Sequence, residues 1–330
     1  MSKSAWITWD DHRRSRELAD SWELEYKVIE YSGNDFFRYL VLGLKTLLFL
    51  RKKELDFVIC QNPSIVLAAL LSIYCRIKNI SLIVDRHSNF KIELRNSASL
   101  KWKVFHVLSD FSIRHADLTI VTNSEAASYI SSLGGEPIVL PDKLPSDLSG
   151  PEIDLEGDLN FLFICSFSSD EPVDSVLQAF KRLGPSFHVY VTGNYKKHPN
   201  LDNYSLNENI HFLGFVTDED YRGYLGSVDA TIVLTDMAMT LNCGSYESVK
   251  AGKPQIVSNS SVIREWFRLG AVYVDAKDDV SIFHGIIDVI DRIDELKNQQ
   301  VIMSEVLEQD WQRLDQNFRQ VLKKVSGHEF

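Results

Sequence analysis

Two polar clusters in the first half of the 330-residue sequence combine a histidine with carboxylates and arginines. The stretch "WDDHRRS" covers residues 9–15 and "DRHSNF" covers residues 85–90, and each follows a short apolar run. The candidate residues are Asp11, His12, Arg13, Asp85, Arg86 and His87. A histidine beside carboxylates can act as a general base, and arginines can hold an anion. We predict function for Asp85 and His87, whereas polar loop or helix-capping roles explain Asp11 and Arg13 equally well.

A third candidate site is the stretch "TLNCGSYESVK" at residues 240–250, which follows an apolar strand-like run. Its small-residue turn leads into a helical segment, and free N–H groups at a helix start attract phosphate. Cys243, Gly244 and Ser245 supply those groups, and Glu247 lies one turn further on. A carboxylate there accepts two hydroxyl hydrogen bonds, as at a ribose. The pattern predicts the outline of a nucleotide-sugar site, while the alternative is that Glu247 only complements the helix dipole.

Polar and small residues also follow the first two predicted strands of the second half. They are Ser166, Ser168, Asp170, Glu171, Gly193 and Asn194. The two serine hydroxyls can bond phosphate or ribose oxygens, and the glycine permits close backbone approach. Asp170 and Glu171 equally suit a capping role at the helix that we predict from Val173.

Composition limits the classes of function. The chain is 45% apolar and 25% charged, which is ordinary for two globular domains. Its net charge of −11 argues against general nucleic-acid binding. The four cysteines lack zinc-ligand spacing, so we expect reduced thiols and no metal. We find no signal-peptide core and no apolar run of about 18 residues that could span a membrane.

The elements that must position these residues alternate between strand and helix along the whole chain. We predict strands at residues 6–9, 26–30, 56–60, 80–84, 118–121, 138–140, 160–165, 188–192, 210–213, 230–234, 255–258 and 271–274. Short apolar strands separated by helices indicate parallel sheets covered on both faces. The fold class is therefore α/β, with two doubly wound parallel-sheet domains. Ligands in such domains bind beyond the carboxyl ends of the strands.

Domain boundaries follow from a stretch rich in proline, glycine and acids. We place an N-terminal domain at residues 1–145, a linker at 146–158 and a second domain at 159–303, followed by a helix at 304–330 that packs back toward the first domain. Residues 1–145 carry 19 Lys and Arg against 17 Asp and Glu, whereas residues 146–330 carry 16 against 29. Neither domain has a dinucleotide fingerprint after its first strand, which argues against a dinucleotide oxidoreductase, and the absence of a P-loop motif excludes a P-loop NTPase.

The order of motifs "SFSSDEP", "VTGN", "NIHFLGFVTDEDYRGYLGSVDATIVLT" and "GSYESVKAGKPQIVSN" resembles the donor domain of GT-B glycosyltransferases of the glycogen-synthase and bacterial mannosyltransferase type. The resemblance implies two Rossmann-like domains facing each other across a cleft, with an N-terminal acceptor domain and a C-terminal donor domain. It implies that Glu247 binds the nucleotide ribose and that the backbone at Phe215 and Val216 holds the base. It also implies that no metal or other cofactor is required.

Within that family, "IVDRHSNF" and "SFSSDEP" look most like the β-mannosyltransferase branch that acts on lipid-linked acceptors, and like bacterial polysaccharide transferases. Two departures stand out. Met239 replaces the first acid of the Glu-x7-Glu pair of retaining members, and residues 166–172 lack the usual arginine and lysine. These departures leave both an inverting and a retaining mechanism of sugar transfer possible. The candidate bases are His87, Asp85 and Asp11, and Arg13 or Arg86, with His12, are candidates for phosphate or acceptor contacts.

The resemblance implies a glycosyltransferase of the hexosyltransferase class that uses a UDP- or GDP-sugar in bacterial polysaccharide or glycoconjugate synthesis. Its acceptor is a saccharide or a lipid-linked saccharide, and no nucleic acid is involved. The alternatives are a nucleotide-sugar epimerase of the same fold and a non-catalytic homologue. The apolar helix at residues 36–53, with Lys101, Lys103 and Arg114, suits either burial against the sheet or peripheral contact with the inner membrane. We expect a cytoplasmic protein, part of which associates with the cytoplasmic face of the inner membrane.

Overall fold

The computed structural model describes residues 3–62, 64–87, 91–197 and 207–327. The histidine-containing stretch "DRHSNF" is therefore described only as far as His87, because residues 88–90 lie outside these ranges. The chain divides into two compact units. Unit 1 comprises Met1–Asp142 and Trp311–Phe330, and unit 2 comprises Lys143–Asp310.

Unit 1 contains a six-stranded parallel sheet whose strand order is β2-β1-β3-β4-β5-β6. Its strands are β1 (Ser4–Thr8), β2 (Glu25–Val28), β3 (Phe57–Asn62), β4 (Ser81–Arg86), β5 (Leu118–Val121) and β6 (Pro137–Val139). Its helices include α1 (Arg13–Ser21), α2 (Asp35–Leu50), α3 (Ile65–Lys78), α4 (Leu100–His115) and α5 (Ser124–Ser132). Right-handed crossovers between parallel strands place α1 on one face of the sheet and α2 to α5 on the other.

Unit 2 repeats this architecture with the strand order β12-β11-β10-β7-β8-β9, and all its strand pairs are parallel. Its strands are β7 (Leu159–Phe163), β8 (Phe187–Thr192), β9 (Ile210–Gly214), β10 (Ala230–Val233), β11 (Gln255–Ser258) and β12 (Ala271–Val274). Its helices include α6 (Val173–Lys181), α7 (Asp218–Ser227), α8 (Cys243–Lys250), α9 (Ser261–Trp266) and α10 (Asp279–Asp291). The last helix, α11 (Ile293–Ser326), begins in unit 2 and ends in unit 1. The predicted α/β fold class is confirmed.

Apolar cores cover both faces of the sheet in unit 1. On one face Leu42 of α2 and Leu67 of α3 pack with the sheet residue Ile7. On the other face Trp22, which follows α1, packs with Phe318 from the last half of α11. Burial of apolar surface on both faces explains why these strands are almost continuously hydrophobic.

The acidic segment at residues 146–158 has no helix or strand, yet it lies against α7 of unit 2. The Arg222 Nε–H donates to the Ser149 carbonyl at 2.9 Å, and the Ile153 N–H donates to the Ser227 hydroxyl oxygen at the same distance. Gly150 permits the close approach, since a Cβ there would lie 2.4 Å from the Gly223 nitrogen. Backbone and side-chain hydrogen bonds therefore hold this segment to unit 2.

Two helix predictions need correction or refinement. We predicted that a separate last helix begins at residue 304, but residues 293–326 form one helix, which is separated from α10 at Arg292. Leu296, Gln300 and Met303 on this stretch are buried, so packing carries the helix through a region that lacks strong local signals. Helix α2 is half-buried, because Leu42 faces the core while other apolar residues are exposed. Among the described residues, no helix is both long and apolar enough to span a bilayer.

Candidate functional site

In unit 1, a buried carboxylate lies near the carboxyl end of the central strand β4. Asp85 is 0% exposed, and the guanidinium of Arg14 from α1 lies 3.3 Å from its Oδ1. Arg14 also pairs with Asp142 and donates to the Leu140 carbonyl at 2.7 Å. Burial would raise the pKa of Asp85, but the charge of Arg14 and a hydrogen bond from His87 outweigh it and hold that pKa well below its usual range.

This carboxylate orients His87. The Nδ1 atom of His87 lies 3.2 Å from Asp85 Oδ2, and the ring stacks on His12 with centroids 4.6 Å apart. His12 is the residue that precedes α1, and burial followed by the charge of His87 lowers its pKa. A histidine with one nitrogen held by a buried carboxylate presents its other nitrogen, Nε2, for proton transfer. The structure therefore brings together three predicted site residues: Asp85, His87 and His12.

The other predicted residues of the first half have different surroundings. Asp11 is exposed and accepts hydrogen bonds from Arg16 and, at 3.0 Å, from the Tyr26 hydroxyl. These bonds lower its pKa, which makes its carboxylate a weaker base. Arg13 is also exposed and pairs with Glu17 at 2.8 Å, one helical turn away.

Arg86 is only 1% exposed and points into the unit. Its guanidinium donates to the Ser109 hydroxyl oxygen at 3.1 Å and to the Ser112 hydroxyl oxygen of α4. Burial lowers its pKa to about 10. Because Arg86 is almost fully buried by these contacts, the structure does not support it as an acceptor or phosphate ligand. The sequence analysis did not select Arg14 of α1, which follows Arg13 and is the arginine that bonds the buried Asp85.

Unit 2 has a pocket of about 520 Å³ at the carboxyl ends of β7, β8 and β9. Its lining includes Ser166, Ser168, Gly193, Phe215, Val216 and Tyr221. Phe215 is 83% exposed, although a large apolar side chain at a pocket edge normally packs away from water. An exposed aromatic ring beside a pocket offers a flat stacking surface. The predicted residues of three separate motifs thus meet at one site.

Glu171 organises the loop that follows β7. Its Oε2 atom accepts the N–H groups of Ser166 and Ser168, both at 2.8 Å, and the Ser166 hydroxyl at 3.1 Å. Phe167 between them has a φ of 61°, which is unusual for a residue with a side chain. We predicted Glu171 either as a donor ligand or as a helix cap, and the structure places its carboxylate on the loop backbone instead.

Gly193 lets the end of β8 approach the end of β7. Its φ is +91°, and a Cβ there would lie 2.4 Å from the Cys165 carbonyl oxygen. The thiol and amide of Cys165 bond to Thr192, so these two strand ends are joined directly. Asn194 follows Gly193 but lies outside the lining of the pocket.

Two contacts connect helix α8 to residues that line this pocket. The Tyr221 hydroxyl donates to Glu247 Oε2 at 2.5 Å, and Gly244 packs on Ile164, which lines the pocket. Cys243 is exposed at the first position of α8, whereas Ser245 is buried within its first turn. The residue preceding the helix, Asn242, makes no side-chain cap. Met239 has a φ of 54° in the loop that leads from β10 to α8.

One group of described residues in unit 2 has the types that could hold a metal ion: Glu156, His188 and His211. His188 Nδ1 and His211 Nε2 are 2.8 Å apart, and the rings are within 18° of parallel. A tetrahedral zinc ion would hold two nitrogens about 3.3 Å apart. The observed geometry suits an N–H···N hydrogen bond instead. His188 lies near the amino end of β8, whereas the pocket is at its carboxyl end.

Comparison with known proteins gives one family model that matches part of the chain and several solved structures of similar fold. Residues 151–302 match the family model described as "Glycosyl transferases group 1". No curated protein sequence matches the chain.

Several solved structures share the fold of the chain. It is similar to sucrose-phosphate synthase from Thermosynechococcus elongatus, with a TM-score of 0.73, 12% identity, and coverage of 97% of this chain and 89% of that one. It is similar to HepE from Anabaena in complex with UDP-glucose, with a TM-score of 0.72, 14% identity, and coverage of 97% and 92%. It is also similar to a glycosyltransferase from Rickettsia africae, with a TM-score of 0.70, 12% identity, and coverage of 97% of this chain and 89% of that one. The fold is that of the GT-B glycosyltransferases.

Proposed function

We propose that this chain transfers a sugar from a nucleoside-diphosphate sugar to a hydroxyl group of a saccharide or lipid-linked saccharide. The match of residues 151–302 to the model of the glycosyl transferases group 1 family supports this proposal. The observation that carries the proposal is the pocket of unit 2, where Phe215, Gly193 and the Tyr221–Glu247 pair meet at the carboxyl ends of parallel strands.

Phe215 and Val216 are the proposed binding surface for the base of the donor. The exposed ring of Phe215 suits stacking, and the backbone beside it offers hydrogen-bonding groups to the edge of a base. HepE, a protein of similar fold, is in complex with UDP-glucose. We therefore propose a UDP-sugar as the first donor to test and a GDP-sugar as the second.

Helix α8 is the proposed binding site for the diphosphate and the ribose. Cys243, Gly244 and Ser245 form the first turn of α8, where the helix dipole stabilises an anion. The Ser245 N–H donates to the Asn242 carbonyl at 3.1 Å, so the helix dipole, rather than this N–H group, is the proposed contribution of Ser245. Glu247 would accept the ribose hydroxyls, and the short bond from Tyr221 fixes its carboxylate. Residues 166–172 supply no cation, so we propose that the diphosphate is held mainly by N–H and hydroxyl groups.

His87 is the residue that we propose as the general base, with Asp85 as its positioning residue. The acceptor oxygen would form a bond to the sugar carbon as the bond from that carbon to the phosphate breaks. The Nε2 atom of His87 would take the acceptor proton, and the nucleoside diphosphate would leave. Asp85 would stabilise the imidazolium, as a buried carboxylate does beside a catalytic histidine. This assignment favours inversion, and it fits a chain with Met239 in place of an acid.

The acceptor and its location are part of the same proposal. We propose that unit 1 binds the acceptor, that the product belongs to polysaccharide or glycoconjugate synthesis, and that the protein acts at the cytoplasmic face of the membrane. No metal or other cofactor is required in this scheme. The exposed apolar side chains of α2 support a membrane-linked acceptor.

A screen of UDP-, GDP- and TDP-sugars for thermal stabilisation tests the donor site. A ligand that binds only the native state adds about 2.7 kcal/mol of stability at a hundredfold excess over Kd. We expect one nucleotide class to raise the melting temperature, and Phe215→Ala to abolish most of that shift. No shift with any donor would contradict the proposal.

Product analysis separates the proposal from its two alternatives. A glycosyltransferase needs an acceptor and yields a glycosylated product. A nucleotide-sugar epimerase of the same fold needs none and yields an isomerised sugar. A non-catalytic homologue binds the donor and leaves it unchanged with every acceptor tried.

A further inference from the structure

Helix α2 exposes a stripe of large apolar side chains. Leu40, Leu44 and Leu48 are spaced four residues apart, so they lie on one helical face, and each is more than half exposed. Phe37 and Tyr39 extend the exposed apolar surface at the start of the same helix. A soluble helix normally turns such a stripe toward the core, but here the core takes Leu42 and Leu50 from another face. The outer stripe therefore calls for a separate explanation.

The neighbouring helices continue this apolar surface. α3 packs against α4 and also contacts α2. α3 exposes Ile73 and Ile77, which are one turn apart, and α4 exposes Leu100, Val104 and Val107 on one of its faces. Three adjacent helices on one side of one sheet thus present apolar side chains to solvent. We call these exposed residues of α2, α3 and α4 the α2–α4 surface. Exposed apolar side chains on adjacent helices indicate an interaction site when they are this numerous.

The charges around this surface indicate the chemistry of its partner. By sequence, α2, α3 and α4 carry seven Lys and Arg and only two Asp, in a chain whose net charge is −11. Lys101 and Lys103 are exposed beside the apolar residues of α4, and Arg51, Lys52 and Lys53 follow α2 directly. Apolar residues interleaved with cations suit a bilayer that carries anionic lipids.

We propose that the α2–α4 surface binds the anionic lipid bilayer, with α2 lying in the plane of the interface. α2 has 16 residues and is too short to span a membrane. A second copy of the chain is a poorer occupant, because a twofold interface would bring the same cations of both copies together. This inference deepens the membrane location given under the proposed function. It concerns unit 1 and a lipid surface, so it can hold even if the proposed sugar transfer does not.

Vesicle co-sedimentation of the full-length chain tests the proposal. We expect binding to vesicles of phosphatidylcholine with phosphatidylglycerol, weaker binding to phosphatidylcholine alone, and a decrease with salt. The variant Leu44→Gln/Leu48→Gln should bind at least about tenfold more weakly, because it removes two aliphatic side chains that the bilayer would bury. Lys101→Gln/Lys103→Gln should lose about tenfold or more on anionic vesicles, since each basic residue near such a surface contributes roughly fivefold.

The matched control is Val301→Gln/Ile302→Gln on α11. Val301 and Ile302 are 60% and 52% exposed, close to the 57% of Leu48 and the 53% of Leu44, but they belong to unit 2. The control should bind vesicles like the wild type. Equal loss in the control, or no binding of the wild type to anionic vesicles, would overturn the proposal. So would a dimer in solution that only the Leu44 and Leu48 changes disrupt. Melting curves verify folding, and donor binding measured without lipid reports separately on unit 2.

Discussion

At the scale of single residues, the ion pair of Asp85 and Arg14 is buried, so the loss of either charge should lower stability. Both side chains are almost fully buried, and Asp85 also holds His87. Asp85→Asn would leave the Arg14 charge with Asp142 as its remaining acidic partner in this cluster. We expect a loss of about 3 kcal/mol in the free energy of unfolding, because the buried charge of Arg14 loses one of its two acidic partners. Urea unfolding at neutral pH measures this loss.

The same pair predicts a pH dependence with a definite sign. The folded-state pKa of Asp85 is lowered, so its stabilising contribution is complete above about pH 4 and is lost as the pH falls below that value. The difference in stability between wild type and Asp85→Asn should therefore shrink on acidification. The exposed pair of Arg13 and Glu17 provides the control, and Glu17→Gln should change stability by less than about 1 kcal/mol. A difference that stays constant down to pH 3 would refute the assignment.

Glu171 should affect donor binding more than stability. Its carboxylate accepts two backbone N–H groups and one hydroxyl from the loop that lines the pocket. Because this loop is exposed, water can satisfy the N–H groups in Glu171→Ala, and we expect less than about 1 kcal/mol of lost stability. Donor affinity should fall roughly tenfold as the loop loses its fixed geometry. Calorimetric titration measures the affinity.

Asp174→Ala serves as the control for that experiment. It removes the same charge from the first turn of α6, away from the pocket lining. Equal loss of donor affinity in both variants would point to overall charge rather than to the geometry of the loop.

At the scale of elements, the junction between β7 and β8 depends on Gly193. An alanine there would have a positive φ and a Cβ 2.4 Å from the Cys165 carbonyl oxygen. We expect Gly193→Ala to cost about 2 to 3 kcal/mol or more, because backbone strain and a steric clash add together. Gly184→Ala is the control, since a Cβ there would meet no atom within 4 Å. Comparable thermal stability of the two variants would contradict this account.

The sequence predicted strands better than it predicted side-chain partners. Strands such as β10 are short apolar runs flanked by polar residues, so burial on both faces is visible in the sequence. The motifs also located Phe215, Gly193 and Ser166, which meet at one pocket. Partners such as Asp142 for Arg14 are 128 residues apart, and no local pattern encodes such a contact.

Two residues show why the remaining predictions failed or needed change. Arg86 has the charge expected of a phosphate ligand, but strand alternation turns its side chain toward the serines of α4. Glu171 has the charge of a helix cap or a sugar ligand, but a left-handed Phe167 folds the loop backbone onto its carboxylate. Orientation and local backbone strain depend on tertiary packing, which residue types alone do not specify.

At the scale of the whole molecule, the chain returns to unit 1 at its end. Unit 1 comprises the first 142 residues together with residues 311–330, so its core is complete only when the end of α11 has packed. The Trp22 Nε1–H donates to Asp315 Oδ1 at 2.7 Å, and the Trp22 ring stacks on Phe318 with centroids 4.5 Å apart. These contacts join residues nearly 300 positions apart, which makes unit 1 a high contact-order element of the fold.

This arrangement predicts that a substitution near the chain end destabilises the unit that holds the chain start. Phe318 is 0% exposed, and Phe318→Ala should lower the free energy of unfolding of unit 1 by about 3 to 5 kcal/mol. Five of the six tryptophans lie in unit 1, and only Trp266 lies in unit 2, so tryptophan fluorescence reports mainly on unit 1.

Urea unfolding should therefore show a lower fluorescence midpoint in Phe318→Ala. The donor-induced stabilisation attributed to unit 2 should persist in this variant, because its pocket lies wholly within Lys143–Asp310. The control Ile302→Ala changes an exposed residue of the same helix within unit 2 and should shift stability by less than about 0.5 kcal/mol. An unchanged fluorescence midpoint in Phe318→Ala would mean that unit 1 is stable without the end of α11, which contradicts the packing of Trp22 between the sheet and that helix.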